Sequence, residues 1–249
     1  DEVKIYNRAL SSQEISVLYE SHIPKTNLPI FLTAKSEGNG LILVDGENIA
    51  SSEPVTKGLA AYYPFNGNAN DESGNGNNGT VNGALLSKDR FAIEKSAYEF
   101  EQSNYIEIPA SESLNLDGPF SVSLWVKMDR FPSDGITHSI LAFGSGKLQI
   151  MATDWVSHRQ QLHFRDLSGD DPGKLFSSLP FSKLNESEYF HLFCSYDGKI
   201  FTTYLNGKIE NRQDVAGLVG VISGDIKIGK GGGNEGLNGF IDDIRIYNR

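Results

Sequence analysis

Apolar and polar positions alternate along most of this chain, as in strands with one buried and one solvent-facing side. In Phe120–Met128, for example, Ser121 and Ser123 alternate with Val122 and Leu124. The segments rich in β-branched and aromatic residues that we predict to be strands are Leu59–Phe65, Ala97–Phe100, Tyr105–Ile108, Phe120–Met128, Ser139–Phe143, Leu148–Met151, Gln161–Phe164, Tyr189–Tyr196, Lys199–Leu205, Ile226–Gly229 and Phe240–Tyr247. Turn-forming clusters of Gly, Asn, Asp and Ser separate them. This pattern predicts an all-β jelly-roll sandwich of two antiparallel sheets.

Two dipeptides predict tight hairpins. Asp197-Gly198 and Asn206-Gly207 have the composition of type I′ turns, in which both central residues need a positive φ. They predict an antiparallel meander of Tyr189–Tyr196, Lys199–Leu205 and Lys208–Glu210.

The beginning of the chain duplicates its end. Asp1–Arg8 matches Asp242–Arg249 position by position as acidic, acidic, β-branched, basic, Ile, Tyr, Asn, Arg. The match indicates a tandem array cut at the same point of two successive repeats, so we expect the chain to be part of a longer protein. Ser11 and Glu14 have the spacing of a capping box, which predicts a short helix over Ser12–Ser21.

Residues 1–57 are therefore predicted to be the tail of a preceding repeat plus a linker or small β element, and residues 58–249 the main domain. Between Ile23 and Lys57, prolines bracket the apolar runs Ile30–Leu32 and Leu41–Val44. Two short strands joined by a Gly-rich turn and a plain linker both fit this composition. As a copy of a sandwich strand, Asp1–Arg8 is expected to pair with the folded chain or with a neighbouring molecule.

Charge, apolar run length and cysteine content limit what the chain can bind and how it can be stabilised. The 249 residues carry 22 basic and 32 acidic side chains, a net charge of −10, which argues against nucleic acid as a partner. No apolar run approaches the ~18 residues that span a bilayer, so we expect no membrane insertion. Cys194 is the only cysteine and excludes an internal disulfide, leaving stability to the core or to a metal.

The sequence contains no recognisable catalytic constellation, and the chain is predicted not to be an enzyme. Glycoside hydrolases need two carboxylates facing one cleft. The nearest acidic groupings, Asp170-Asp171 and Glu186 with Glu188, fall in predicted loops. The five histidines lack zinc-site spacing and are interpreted as isolated structural side chains.

The connection between the strands ending at Met151 and beginning at Gln161 holds the best candidate ligand site. Sugar sites combine an aromatic face with planar polar side chains on a rigid scaffold, and loops commonly carry such groups. Trp155 is the aromatic candidate, although a tryptophan that only fills the edge of the core also fits the sequence. The candidate ligand-binding residues are Trp155, Asp154, Arg159, Gln160 and His158.

Four motifs resemble the laminin-G-like domains of the concanavalin A-like lectin/glucanase superfamily. They are Tyr62–Gly79 (YYPFNGNANDESGNGNNG), Phe120–Lys127 (FSVSLWVK), Tyr204–Gly207 (YLNG) and Gly239–Asn248 (GFIDDIRIYN). The resemblance implies a concanavalin A-like jelly roll over residues 58–249. It leaves function open, because the superfamily includes lectins, adhesins, hydrolases and spacer modules. We assign Trp125 to the core, in the middle of a sheet.

The resemblance also implies structural calcium between the opening loop and the acidic pair near the last strand. In a regular strand Asp242 and Asp243 point to opposite faces, so only one should bind the ion directly, and Asp243 is preferred. The alternative is an acidic pair that is solvated and binds no metal. The candidate metal ligands are Asp71, Asp243, Asp242, Asn66, Asn70 and Asn77.

Together these features predict a non-catalytic extracellular binding module of a larger multidomain protein, secreted or at the cell surface. It would recognise a glycan or another cell-surface ligand, contact neighbouring repeats and be stabilised by calcium. The alternative is a purely structural spacer repeat in an adhesin-like surface protein. A glycoside hydrolase is less favoured.

Overall fold

The computed structural model describes residues 43–44, 47–48 and 58–249, apart from 102, 134, 145–147, 156–157, 167–173, 217–220 and 232–235. At 43–44, 47–48, 155, 158–160, 166 and 174 it describes the backbone alone. The predicted N-terminal helix and the copied octapeptide lie outside these residues. The division of the chain at residue 57 therefore stays a prediction.

The described residues form seventeen strands and two single-turn 3₁₀ helices. The strands are β1 (Leu43–Val44), β2 (Glu47–Asn48), β3 (Leu59–Tyr63), β4 (Thr80–Asn82), β5 (Leu85–Ser87), β6 (Ala97–Phe100), β7 (Tyr105–Ile108), β8 (Phe120–Met128), β9 (Thr137–Phe143), β10 (Leu148–Trp155), β11 (His158–Asp166), β12 (Lys174–Pro180), β13 (Phe190–Tyr196), β14 (Ile200–Leu205), β15 (Lys208–Asp214), β16 (Ile226–Ile228) and β17 (Gly239–Tyr247). The 3₁₀ helices are Glu112–Leu114 and Phe181–Lys183.

Two antiparallel sheets form the sandwich, which confirms the predicted fold class. One sheet has the order β12-β11-β10-β9-β16-β7-β4. The other has the order β15-β14-β13-β8-β17-β6-β5, with β3 also paired to β17. Strands β1 and β2 form a separate hairpin. Three of these strands, β4, β5 and β12, were not predicted from the sequence. Strands β4 and β5 are only three residues long, and β12 lacks a clear alternation of apolar and polar residues.

The meander β13-β14-β15 is present, but only one of its turns has the predicted type. Asn206 and Gly207 have φ values of 49° and 76°, as a type I′ turn requires. Gly198 alone has a positive φ in the other turn, where the Asp197 carboxylate accepts hydrogen bonds from the amides of Lys199 and Ile200. The prediction of a type I′ turn at Asp197-Gly198 is therefore wrong, because the side chain of Asp197 stabilises a longer connection.

Aromatic rings join the two sheets near the side of the sandwich where β12 and β15 are the edge strands. The Phe201 ring on β14 lies 5.9 Å from that of Phe164 on β11 and 5.4 Å from that of Phe176 on β12. Its centroid also lies 6.4 Å from that of Phe120 on β8. All four side chains are at most 1% exposed, so this cluster fixes the distance between the sheets.

Trp125 lies on the outer face of its sheet, which contradicts its assignment to the core. Its neighbours Leu124 and Val126 on β8 belong to the core, so alternation places Trp125 on the opposite face. There it is half-buried and its ring lies 5.0 Å from that of His191 on β13. The Nε2 atom of His191 lies 2.8 Å from the Ser123 hydroxyl. The prediction failed because apolar residues on both sides of a strand do not show which side faces the second sheet.

The single thiol is expected to be unreactive while the protein is folded. Cys194 is 1% exposed on β13, and burial raises the pKa of its thiol to about 12. At neutral pH the thiol therefore remains protonated, whereas the thiolate is the form that attacks a disulfide reagent. We expect labelling by a disulfide reagent to be negligible in buffer and complete in denaturant. Rapid labelling of the folded protein would contradict the buried position of β13.

Candidate functional site

The segment predicted to be a ligand-binding loop is instead the end of a β-hairpin. Strand β10 continues to Trp155 and β11 begins at His158, so only residues 156–157 connect them. Trp155 and His158 are direct cross-strand partners, and Thr153 is the partner of Gln161. The loop prediction is corrected because the backbone of this segment continues the two strands, although its sequence lacks the apolar alternation from which strands were predicted.

A bulge separates these two cross-strand pairs. The register shifts between Thr153 and Trp155, where Asp154 on β10 is opposite two residues of β11, Arg159 and Gln160, so β11 contains the extra residue. Asp154 is half-buried, and its amide donates a 3.2 Å hydrogen bond to the carbonyl of Ile136. The side chains of Trp155, His158, Arg159 and Gln160 lie outside the described part of the structure, so their role as ligand contacts stays a prediction.

A row of polar side chains crosses three neighbouring strands beside this hairpin end. Thr137 on β9, Thr153 on β10 and Gln161 on β11 are cross-strand partners and share one face of the sheet. The hydroxyls of the two threonines lie 3.1 Å apart. Thr137 and Gln161 remain half-exposed, so the row offers hydroxyl and amide groups to a ligand.

Farther from the hairpin end, the same face is closed. Gln149 and Ser139 are both 0% exposed, and the Gln149 amide donates a 3.0 Å hydrogen bond to the Ser139 hydroxyl. The backbone of Gly231 packs directly on these groups, because a Cβ atom there would lie 1.7 Å from the Gln149 amide nitrogen. The accessible part of the polar face is therefore the part next to Trp155 and His158.

The opening loop of the sandwich is organised by the carboxylate of Asp71. Its Oδ1 atom accepts 2.9 Å hydrogen bonds from the amides of Tyr62 and Ser73. Its Oδ2 atom accepts 2.9 Å hydrogen bonds from the amide of Asn77 and the hydroxyl of Ser73. These contacts connect the loop to the edge of β3, so the Asn/Gly-rich sequence forms a defined loop.

The three asparagines predicted to assist a metal occupy different environments. Asn77 is 5% exposed, and its side-chain amide donates to the carbonyl of Ala60 and the hydroxyl of Ser113. Asn66 and Asn70 are exposed on the outer side of the loop. The structure therefore brings Asp71 and Asn77 together, and Asn66 and Asn70 have no described side-chain contact with Asp71.

The acidic pair contacts arginine side chains. The guanidinium of Arg90 lies 2.5 Å from Asp242 and 3.2 Å from Asp243, and Arg245 lies 3.4 Å from Asp243. A bulge shifts the register of β17 between Asp242 and Arg245, and Asp243 has a φ of 60°. The prediction that the two carboxylates point to opposite faces is wrong, because the bulge directs both to one guanidinium.

Burial dominates the electrostatics of this pair. It raises the pKa of Asp242 to about 7, although the nearby Arg90 charge lowers it in part. Burial also raises the pKa of Asp243, against the opposing charges of Arg245 and Arg90. The two carboxylates thus depend on the arginines to remain ionised.

These residues do not fit a calcium ion in the described arrangement. The hydrogen bonds described for Asp71 come from Tyr62, Ser73 and Asn77. The acidic pair contacts Arg90 and Arg245 instead, and Arg90 occupies one oxygen of each of its carboxylates. Among the described residues no three His, Cys, Asp or Glu side chains form a metal-binding group. Calcium binding stays a prediction from the resemblance, and we assign it no role in the site.

Comparison with known families identifies the fold. The laminin G sequence model of the concanavalin A-like lectin/glucanases superfamily matches residues 100–249. The chain belongs to this superfamily. The matched residues include β8, β10, β11 and β17, and thus the hairpin end and the acidic pair. A search of curated proteins finds no match.

Solved structures of similar fold include two domains that were solved with a sugar bound. Domain 4 of AbnA, a GH43 extracellular arabinanase from Geobacillus stearothermophilus solved with arabinotriose, is 24% identical with a TM-score of 0.55; the match covers 76% of this chain and 91% of that one. The ligand binding domain of botulinum neurotoxin serotype D, solved with N-acetylneuraminic acid, is 16% identical with a TM-score of 0.60, over 77% and 48%. The binding domain of Paraclostridial Mosquitocidal Protein 1 is 22% identical with a TM-score of 0.60, over 77% and 49%. The match thus spans about half of each toxin domain.

None of the helices in the described part of the chain has the length and apolar character that crossing a membrane requires.

Proposed function

We propose that this chain is a non-catalytic glycan-binding module and that its ligand contacts the end of the β10–β11 hairpin. The observation that carries the proposal is the register, in which Trp155 and His158 are cross-strand partners. Next to them is the polar row of Thr137, Thr153 and Gln161, in which the two outer residues are half-exposed and Thr153 is buried. An aromatic residue next to planar amide and hydroxyl groups on a rigid sheet is the composition of a sugar site.

The ligands of structurally similar domains support this class of ligand. Arabinotriose is bound by the arabinanase domain and N-acetylneuraminic acid by the toxin domain. The first is a neutral oligosaccharide and the second an anionic sugar. Both domains are parts of larger proteins. The octapeptide duplication predicts the same for this chain, namely that it is one module of a longer protein.

A binding role is favoured over catalysis by the side chains of the hairpin. Glycoside hydrolysis requires two carboxylates about 5–10 Å apart on either side of the scissile bond. Asp154 is the only carboxylate among the described side chains at the hairpin end. We further propose an extracellular location, because glycans are displayed outside the cell and the arabinanase relative is extracellular.

Replacing Trp155 by alanine tests the site. We expect the full chain to bind arabino-oligosaccharides or sialylated oligosaccharides on a glycan array. Trp155→Ala should weaken that binding about tenfold or more, since truncating an aromatic anchor commonly costs ~2 kcal/mol. Isothermal titration with the best glycan of the array gives the affinity ratio.

Phe240→Ala is the matched control, because this half-buried aromatic residue lies on the other sheet. It should retain the affinity of the wild type. Absence of binding to every glycan on the array would contradict the proposal and favour a structural spacer. Release of reducing sugar that depends on Asp154 would favour a hydrolase.

A further inference from the structure

The last strand changes its partner at the acidic pair. Strand β17 pairs with β8 on one side, through positions from Gly239 to Tyr247. On its other side it pairs with β6 at Gly239–Ile241 and with β3 at Ile244–Tyr247. The two residues between these ladders are Asp242 and Asp243, so their bulge lies where β6 ends and β3 begins.

Arg90 contacts both carboxylates at this point from the connection between β5 and β6. Its amide donates to Oδ2 of Asp242 at 3.3 Å, and its Nη1 atom donates to the same oxygen at 2.5 Å. Its Nη2 atom donates to Oδ2 of Asp243 at 3.2 Å. One guanidinium thus bridges two carboxylates, as its planar arrangement of donors allows.

The contact is almost completely shielded from water. The side chains of Arg90, Asp242 and Asp243 are 4%, 3% and 3% exposed. The guanidinium carbon of Arg90 lies 4.4 Å from the ring centre of Phe91 and 4.9 Å from that of Trp125. The aromatic rings reduce access of solvent, which strengthens the attraction between the opposite charges.

We propose that Arg90 is the resident counter-cation of the Asp242–Asp243 pair and that this contact, in place of a bound metal, joins the β5–β6 connection to β17. One oxygen of each carboxylate, Oδ2, already accepts a hydrogen bond from Arg90. A dication could bind there only by displacing a buried guanidinium or by lying next to it, and both carry a large electrostatic cost.

Lysine cannot make the same contact. Its ammonium is a single point charge, whereas the two carboxylates accept from two different nitrogens of the guanidinium. The contact between Arg90 and Asp242 spans 152 residues of sequence, so it connects distant parts of the chain. Arg90 therefore acts both as the neutralising charge and as a link between segments.

The test combines calcium dependence with substitution of Arg90. Unfolding of the full chain by heat and by urea is followed in calcium chloride and in EDTA. The wild type should give the same midpoint in both. Arg90→Met should lower the folding equilibrium constant by about 100- to 5,000-fold, because the buried carboxylate of Asp242 loses its guanidinium partner and that of Asp243 keeps only Arg245. Arg90→Lys should lose less than Arg90→Met.

Two further variants separate the charge effect from general damage. Asp242→Asn in the Arg90→Met background should recover part of the loss, since it removes an uncompensated buried charge. Lys88→Met is the matched control, because this neighbouring lysine is 59% exposed and pairs only with the exposed Glu94, and it should change nothing measurable.

Two results would overturn the proposal. One is a calcium-dependent rise in the wild-type midpoint that Asp242→Asn or Asp243→Asn removes. The other is an Arg90→Met variant as stable as Lys88→Met. If Arg90→Met does not fold, the calcium comparison on the wild type and the Arg90→Lys variant still decide between the arginine and a metal.

Discussion

Replacing Phe201 by alanine is expected to lower the free energy of unfolding by about 3–5 kcal/mol. The Phe201 ring contacts Phe164 and Phe176 across the sandwich and Phe120 in its own sheet. Alanine leaves a cavity between two sheets that cannot close without moving whole strands, so little of the loss is recovered by relaxation. Urea denaturation followed by tryptophan fluorescence measures the change.

Leu85→Ala is the control for this substitution, because Leu85 is 64% exposed on β5. Its effect should stay within about 0.5 kcal/mol, as for most surface substitutions. A loss below about 1 kcal/mol for Phe201→Ala would mean that the aromatic cluster does not determine the spacing of the sheets.

Asp71→Ala is expected to lower the free energy of unfolding by about 2–4 kcal/mol, in EDTA as well as in calcium. The substitution leaves the amides of Tyr62, Ser73 and Asn77 without their acceptor. These donors belong to the protein itself, so the loss does not require a metal. The measurement is the urea midpoint of the variant and the wild type in both buffers.

Glu72→Ala is the matched control, since the neighbouring carboxylate is exposed to solvent. It should leave the midpoint unchanged. A loss in Asp71→Ala that occurs only when calcium is present would show instead that the carboxylate binds the ion. The experiment therefore also tests the calcium prediction made from the family resemblance.

The strands of the core could be predicted from the sequence because burial of one side requires apolar residues at alternate positions. The predicted bounds Ala97–Phe100, Tyr105–Ile108 and Phe120–Met128 agree with β6, β7 and β8. Each of these strands has one side in the core, and a residue of the wrong type there would cost free energy of burial. At the end of the β10–β11 hairpin the sequence is mostly polar and shows no such pattern, so a loop was predicted where the structure has strands.

The acidic pair shows the second limit of such reasoning. Alternation along β17 separates Asp242 from Asp243, and only the bulge at Asp243 directs both to Arg90. A bulge depends on how the partner strands align, which one strand's residues do not encode. The contact of Arg90 with the acidic pair could not be predicted, because nothing in the local sequence of Arg90 relates it to Asp242, 152 residues away.

The pairing of the first and last strands of the sandwich determines how it responds to mechanical force. Strands β3 and β17 are antiparallel neighbours, and the amide of Asn248 donates a 3.1 Å hydrogen bond to the carbonyl of Gly58. A force that pulls these two residues apart acts perpendicular to the two strands, so the hydrogen bonds between β3 and β17 open one after another, starting at this pair. A force along the strands would load all of these hydrogen bonds at once. Under tension the sandwich therefore yields first along the β3–β17 edge, while β8 still pairs with β17 on the other side.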